Sequence, residues 1–332
     1  MQIDSKTRVL VTGGAGFIGS WLVDQLNRQG VERIVIADFL GRDGKWQNLV
    51  PLVFEDYLEA SDLLANLESN RLGVFGLVLH MGACSSTSER DATYLVKNNY
   101  DFTRRLAEWS LGKGARFVYA SSAATYGDGS LGMEDSADLT YLRRLRPLNM
   151  YGYSKHLFDL YAAQHGLLAE CVGIKYFNVF GPNEQHKGDM RSLANKAYSQ
   201  IESTGALRLF RSERGDYRDG EQKRDFIYVK DAAAMTLHLA ASDEAAGLFN
   251  VGAGRAETWR DLANAVFAAM GREPSIEFID IPPEIRAGYQ YLTLADIGRL
   301  RASGYDRPVT PLADAVRDYV TNYLDKDIRF RG

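Results

Sequence analysis

Residues Arg8-Val-Leu-Val-Thr-Gly-Gly-Ala-Gly-Phe-Ile-Gly19 decide how the chain folds. Arg8 to Thr12 is a short β-branched run, the pattern of a strand covered on both faces. Gly13, Gly14, Gly16 and Gly19 follow at once. Apolar residues then recur at helical spacing from about Phe17 to Gln29. Strand, glycine turn and helix in that order are the context that a dinucleotide requires. The glycines permit a tight turn and let backbone N–H groups approach a pyrophosphate at the helix N-terminus. Arg33 to Ala37 reads as the second strand. Asp38 ends it about twenty residues past the loop, where an acidic group meets the adenosine ribose. Arg42 and Lys45 follow closely and suit a 2′-phosphate instead, so the residues leave NAD and NADP both open.

Working outward, a third strand is expected near Pro51–Phe54 and a helix from about Tyr57 to Leu67. Val74 to His80 is the fourth strand and leads into Met81-Gly82-Ala83-Cys84-Ser85. Small residues at the carboxyl end of a parallel strand let a ligand lie against the backbone. Asn98, on the following helix, is a candidate for the same pocket. Arg116 to Ser121 is the fifth strand, and Ser122 at its end is a candidate donor to a substrate oxygen. The stretch Ser130–Arg146 reads as a polar, mobile loop. Glu170 to Phe177 is the sixth strand. Strands alternating with helices predict an α/β fold, a doubly wound parallel sheet of the Rossmann kind.

After Pro182 the alternation loosens, which predicts a smaller α/β substrate domain fed by several segments. The expected division gives 1–176, 228–254 and 290–304 to the dinucleotide-binding domain. It gives 177–227, 255–289 and 305–332 to the substrate domain. Phe226–Val229 and Leu248–Val251 are expected to return to the main sheet. A final helix from about Pro311 to Leu324 is expected to close the small domain.

Tyr151 and Lys155, in Asn149-Met-Tyr-Gly-Tyr-Ser-Lys155, stand four apart. On a helix capped by Asn149 both side chains share one face. A free tyrosine, with a pKa of about 10, is a poor base at neutral pH. A neighbouring cation favours the phenolate, so the spacing predicts a Tyr151 with lowered pKa that can pass a proton in a carbonyl/alcohol redox step. By itself the pair is also what an ordinary amphipathic helix carries; the glycine loop upstream gives it weight.

Composition sets outer limits. The 332 residues carry a net charge of −4 and two cysteines, Cys84 and Cys171. No basic run is present to attract nucleic acid. Two distant cysteines make neither a disulfide framework nor a metal cluster. No long apolar span and no leader pattern are visible. The expected protein works in the cytoplasm without nucleic-acid or membrane partners and without a metal.

These residues resemble the extended short-chain dehydrogenase/reductase family, through Gly13-x-x-Gly16-x-x-Gly19, Ser122 and Tyr151-x-x-x-Lys155 in that order. Within it the chain looks similar to the ADP-L-glycero-D-manno-heptose 6-epimerases over nearly its whole length. The likeness runs through His80–Thr87, Ala120–Gly127, Pro147–Lys155, Lys175–Pro182, Lys223–Val229, Gly288–Gln290 and Ala295–Asp296. His186-Lys187-Gly188 is the most telling part. The resemblance implies removal of a hydride from C6″ of an ADP-heptose and its return to the other face, making a heptose precursor for the lipopolysaccharide core. It implies a nicotinamide cofactor that stays bound, taken here as NADP with NAD as the alternative.

The resemblance also implies roles. Tyr151 and Lys187 would be the acid/base groups on the two faces, with Ser122 on the reacting oxygen and Lys155 on the cofactor ribose. Gly13, Gly16, Phe17, Ile18, Gly19, Asp38, Phe39, Lys45, Met81, Gly82, Ala83, Cys84, Ser85, Asn98 and Val179 would surround the cofactor. Asn178, Arg224 and Tyr289 would hold the ADP-sugar, with Phe210, Arg211 and Ser212 at its nucleotide end and Asp189 and Lys196 near the sugar. A homo-oligomer, pentameric in the family, is implied as well. Departures from the family pattern are Asp189 for Ser, Lys196 for His, Phe39 for Asn, Ala60 for Lys and a longer Arg211–Lys223 loop. The rival expectations are a UDP-sugar 4-epimerase, which leaves Lys187 without a task, and a non-catalytic NAD(P)-binding sensor. A 4,6-dehydratase is disfavoured because Ala123-Ala124 stands where those enzymes carry an acidic pair.

Overall fold

The computed structural model describes residues 1–286 and 288–330. The expected domain ranges also take in Ala287, Arg331 and Gly332, which lie outside the described residues. Seven parallel strands form the main sheet: β1 (Val9–Thr12), β2 (Ile34–Asp38), β3 (Asp56–Glu59), β4 (Leu77–His80), β5 (Arg116–Ser122), β6 (Cys171–Tyr176) and β11 (Gly247–Val251). Their spatial order is β11-β6-β5-β4-β1-β2-β3. Val9 pairs with Ile34 on one side and Leu77 on the other. The chain therefore winds outward in opposite directions from β1 and β4, and a crevice opens where their carboxyl ends part.

β1, β2, β4, β6 and β11 are buried along their whole length. That explains their unbroken apolar reading, since helices cover both faces. The helices Phe17–Arg28 and Val229–Ala241 cover one face, with Leu22, Leu26, Ala232 and Met235 in its core. Ala60–Glu68, Phe102–Gly112 and Met150–Gln164 cover the other, with Leu63, Leu67, Leu106 and Phe158.

Four local expectations are corrected. The third strand lies at Asp56–Glu59 rather than Pro51–Phe54. In residues 51–54 only Leu52 and Phe54 pack on the core edge, while Pro51 and Val53 are exposed. The following helix starts at Ala60, because Tyr57 to Glu59 are taken by that strand. The 130–146 stretch is not a free loop. It contains the helix Leu139–Arg144, capped by the Asp138 carboxylate, and buries Leu142, Leu145 and Asp135. Lastly, β10 (Phe226–Tyr228) does not join the main sheet. It pairs in parallel with β7 (Asn178–Phe180), while β11 does join, beside β6.

Beyond β7 the segments fold together beside the crevice. β8 (Leu207–Phe210) pairs with β13 (Ile276–Ile279), and β9 (Lys223–Arg224) pairs with β12 (Glu257–Thr258). The helices Leu193–Thr204, Trp259–Ala269 and Leu312–Tyr319 pack over them, the last continuing as a π turn, Val320–Leu324. Among the described residues, no helix is long and apolar enough to cross a membrane.

Candidate active site

A cleft of about 450 Å³ opens at the carboxyl ends of β1 and β4. Gly13, Gly16, Phe17, Ile18 and Gly19 form one wall, and Met81, Gly82, Ala83, Cys84 and Ser85 face them. The two walls approach so closely that a side-chain carbon on Gly13 would sit 2.7 Å from the Gly82 nitrogen. Gly13 also has φ +69°, a conformation that a side chain strains. A side-chain carbon on Gly19 would fall 2.1 Å from the Gly13 carbonyl oxygen. Asp38 lines the far end, its carboxylate accepting the N–H of Ala15 at 2.9 Å and of Phe39 at 2.7 Å. Lys45 Nζ reaches the same carboxylate at 3.2 Å. A second hollow of about 410 Å³ continues from there and is lined by Phe39, Asn98 and Tyr94. Bare backbone for a pyrophosphate, a carboxylate for a ribose and an adjoining lysine fit a nicotinamide dinucleotide.

Polar core groups fix both walls. His80 is buried, and burial pushes its pKa down to about 3, so it is neutral. Its Nδ1 lies 2.6 Å from Thr12 Oγ1 and its Nε2 lies 2.7 Å from Thr103 Oγ1. Thr12 Oγ1 also accepts the Gly82 N–H at 3.1 Å. Thr103 Oγ1 donates to the Asn99 carbonyl oxygen at 2.5 Å, so it accepts from His80 Nε2–H, and the neutral ring's Nδ1 accepts from Thr12 Oγ1. Asn99, which the sequence reading passed over for its neighbour Asn98, is buried and joins wall to helix. It accepts the Cys84 N–H, and donates to the Cys84 carbonyl and to Ser154 Oγ, each at 2.9 Å. A π turn, Val96–Asp101, aims it inward, a local shift that helical periodicity does not reveal.

Ser122, Tyr151 and Lys155 line the same cleft. Asn149 caps the helix as expected, accepting the Gly152 N–H at 2.8 Å. Gly152 is required where the helix meets the 310 turn Ala123–Tyr126, since a side-chain carbon there would lie 2.8 Å from the Ala124 carbonyl oxygen. Tyr151 and Ser122 face the cleft together. The Tyr151 pKa is raised by burial, with the neighbouring Ser122 pulling the other way. This corrects the expectation of a phenol lowered by Lys155. The Lys155 ammonium is spent elsewhere, donating to the Ala120 carbonyl oxygen at 2.8 Å. Burial pushes Lys155 itself down to about 8. In this state Tyr151 holds its proton.

Behind this group, Asp159 and Lys175 form a fully buried ion pair at 2.7 Å. Asp159 also accepts from Tyr119 at 2.9 Å and from Ser121 at 2.8 Å, clamping the helix to β5. A lysine inside an otherwise apolar strand was its sequence signal.

The turn Gln185–Met190 brings His186, Lys187 and Met190 to the same cleft. Gly188, with φ +53°, reverses the turn just after Lys187. Lys187 Nζ lies 5.4 Å from the Phe17 ring centre, and no hydrogen bond to it occurs among the described residues. Burial lowers its pKa, with the Glu184 carboxylate opposing. Val179 lines the cleft too.

The remaining candidates lie outside that lining. Asn178 follows Phe177 of the cleft and bonds through its N–H to the Asp225 carbonyl at 3.1 Å. Arg224 stacks over Trp259 at 5.3 Å and Tyr289 at 5.4 Å. Tyr289 meets Phe210 edge-on at 6.0 Å. Arg211 turns away to pair with Asp280 at 3.1 Å, and the Ser212 hydroxyl bonds to the Arg214 carbonyl at 2.9 Å. Asp189 and Lys196 are exposed and meet each other, Lys196 Nζ donating to the Asp189 carbonyl at 3.3 Å. Among the described residues, no group of three or more His, Cys, Asp or Glu could hold a metal.

Comparison with known proteins agrees with this geometry. Residues 9–252 match the model of the NAD dependent epimerase/dehydratase family. The chain is 52% identical over 316 residues to the ADP-L-glycero-D-manno-heptose-6-epimerase of Nitratidesulfovibrio vulgaris Hildenborough, covering 95% of this chain and 97% of that protein. It is 39% identical to the protein of that name from Fusobacterium nucleatum, covering 96% and 98%. Among solved structures, UDP-N-acetylglucosamine 4-epimerase from Methanobrevibacter ruminantium superposes with a TM-score of 0.81 at 27% identity, covering 96% and 99%. Glycine loop, Tyr-x-x-x-Lys helix, sheet order and sequence thus agree: the chain belongs to the NAD dependent epimerase/dehydratase family.

Proposed function

We propose that the chain inverts C6″ of ADP-D-glycero-D-manno-heptose to the L-glycero form, supplying heptose for the lipopolysaccharide core. NADP, with NAD as the alternative, would supply the hydride acceptor and donor from the cleft between the glycine loop and Met81–Ser85. Asp38, Lys45 and Lys155 would hold its ribose and phosphate groups. The observation that carries the reading is that Lys187 lines the same cleft as Ser122, Tyr151 and Lys155, on a different element. Inverting a carbon needs an acid/base group on each of its faces. Tyr151 would exchange the hydroxyl proton on one face while Ser122 hydrogen-bonds the reacting oxygen. Lys187 would do the same work on the other face, with its pKa brought down by burial.

Segments 177–227, 255–289 and 305–332 would hold the ADP-sugar. Arg224, Tyr289 and Phe210 would form an aromatic and cationic seat for its nucleotide. Family likeness further supports a cytoplasmic homo-oligomer, with five copies as the expected number. The test is nicotinamide content of the purified protein, followed by parallel incubation with the ADP-heptose and UDP-glucose. Turnover of the ADP-heptose alone, with resident cofactor, is the expected result. Turnover of UDP-glucose would favour a 4-epimerase, and turnover of neither a sensor.

A further inference from the structure

The segment after the last helix holds the cleft in a way that the proposed reaction does not use. Arg329 is half-buried, and its Nη1 donates to Asn48 Oδ1 at 3.0 Å and to Gln185 Oε1 at 3.1 Å. Its Nη2 donates to Gln47 Oε1 at 2.6 Å. The three acceptors sit on two turns far apart in sequence. Gln47 and Asn48 belong to the turn Lys45–Asn48, whose Lys45 pairs with Asp38. Gln185 opens the turn that carries His186 and Lys187. Asp38, Lys45, His186 and Lys187 all line the cleft.

Asn48 makes the junction rigid. It is fully buried, and its amide donates to the Ala15 carbonyl in the glycine loop at 2.9 Å and to the Asn183 carbonyl at 3.3 Å. Phe330 packs on Trp21 with ring centres 5.0 Å apart, and the Trp21 indole donates to the Pro182 carbonyl at 3.0 Å. All three Arg329 acceptors are neutral amide oxygens. A planar guanidinium can bridge several such acceptors at once, which a single ammonium cannot match.

We propose that Ile328–Phe330 is a latch that ties the Lys45 turn to the Lys187 turn across the cofactor cleft, with Arg329 a positioning residue that slows cofactor release. The proposal rests on the dinucleotide reading of the cleft. A reaction that takes a hydride and gives it back fails if the dinucleotide leaves between the two steps, so slow release serves it directly.

The test is the release rate of bound NADPH, and in parallel of NADH, followed by loss of energy transfer from tryptophan after a chase with excess oxidised dinucleotide. Arg329→Ala is expected to speed release about tenfold, the effect of losing hydrogen bonds from a charged donor. Gln47→Ala and Gln185→Ala each remove one arm and are expected to speed it less. Added to Arg329→Ala they should change nothing further, since the arms act through the same guanidinium. These two also keep the proposal testable if Arg329→Ala fails to fold. Binding with unchanged release rates in all three variants overturns the latch alone, and so do effects that simply add. No binding by the parent chain overturns the latch and the dinucleotide reading together.

Discussion

The Lys155 ammonium donates to the Ala120 carbonyl oxygen at 2.8 Å, two residues before Ser122 on the same strand. The contact pins the Tyr151 helix to the end of β5 and buries a cation to do so. Burial brings Lys155 from 10.5 down to about 8. Between those values the unfolded chain holds the proton more tightly than the folded one, so this group makes stability rise with pH across that window. Below pH 8 the full cost of burying the charge is present. Lys155→Met should therefore melt no lower than the parent at pH 7, and the parent should gain on it between pH 8 and 10. The same variant should bind NADPH about tenfold more weakly, through loss of a charged hydrogen bond to a ribose hydroxyl. Thermal melts across pH and a dinucleotide titration check both halves.

Tyr151→Phe removes the phenol hydroxyl that faces the cleft beside Ser122. It should cut epimerisation by about 10²–10⁴, the usual worth of a positioned acid/base group, and leave dinucleotide binding intact. Lys187→Met should do likewise. Lys187→Arg should not restore the rate, since a guanidinium does not deprotonate in the working range. A near-normal rate for Lys187→Met would remove it from the reaction.

Asn99 gives a structural prediction. Asn99→Ala removes the partner of the half-buried Cys84 N–H and carbonyl and one of two hydrogen bonds of the Ser154 hydroxyl, which keeps its bond to the Tyr151 carbonyl. An unmet, partly buried hydrogen-bonding group costs up to about 1–3 kcal/mol, so denaturant titration should find a loss within that range. Turnover should fall with it, because the Met81–Ser85 wall is no longer tied to the Tyr151 helix.

Much of this was legible in residues 8–19 and 149–155 because their constraints are local. A strand, a turn that only glycine fits and a capped helix each leave a short-range pattern. The turn that brings Lys187 to Phe17 has no such pattern; only likeness to a family picked it out. Asn99 and Asn98 are indistinguishable by spacing until a π turn separates them. The Phe226–Tyr228 strand was assigned to the wrong sheet because an apolar run carries no label for its partner. The phenol prediction failed because four-residue spacing tells which residues share a face, not where an ammonium spends its hydrogen bonds.

Lys45 bears on cofactor choice. Its Nζ sits 3.2 Å from the Asp38 carboxylate, at the end of the cleft where the ribose is expected. Lys45→Ala should weaken NADPH about tenfold or more and NADH far less, because only the former carries a phosphate there. Equal losses for both dinucleotides would mean that Lys45 acts only through Asp38.

The most direct test of the central claim is proton NMR of ADP-D-glycero-D-manno-heptose incubated with the purified protein and no added cofactor. Growth of the L-glycero signals, at substoichiometric protein, is the predicted result and requires a resident nicotinamide that is restored each turnover. An unchanged spectrum from protein shown to contain its dinucleotide would contradict the proposed substrate, and the exposed pair Asp189 and Lys196 would be the first positions to re-examine.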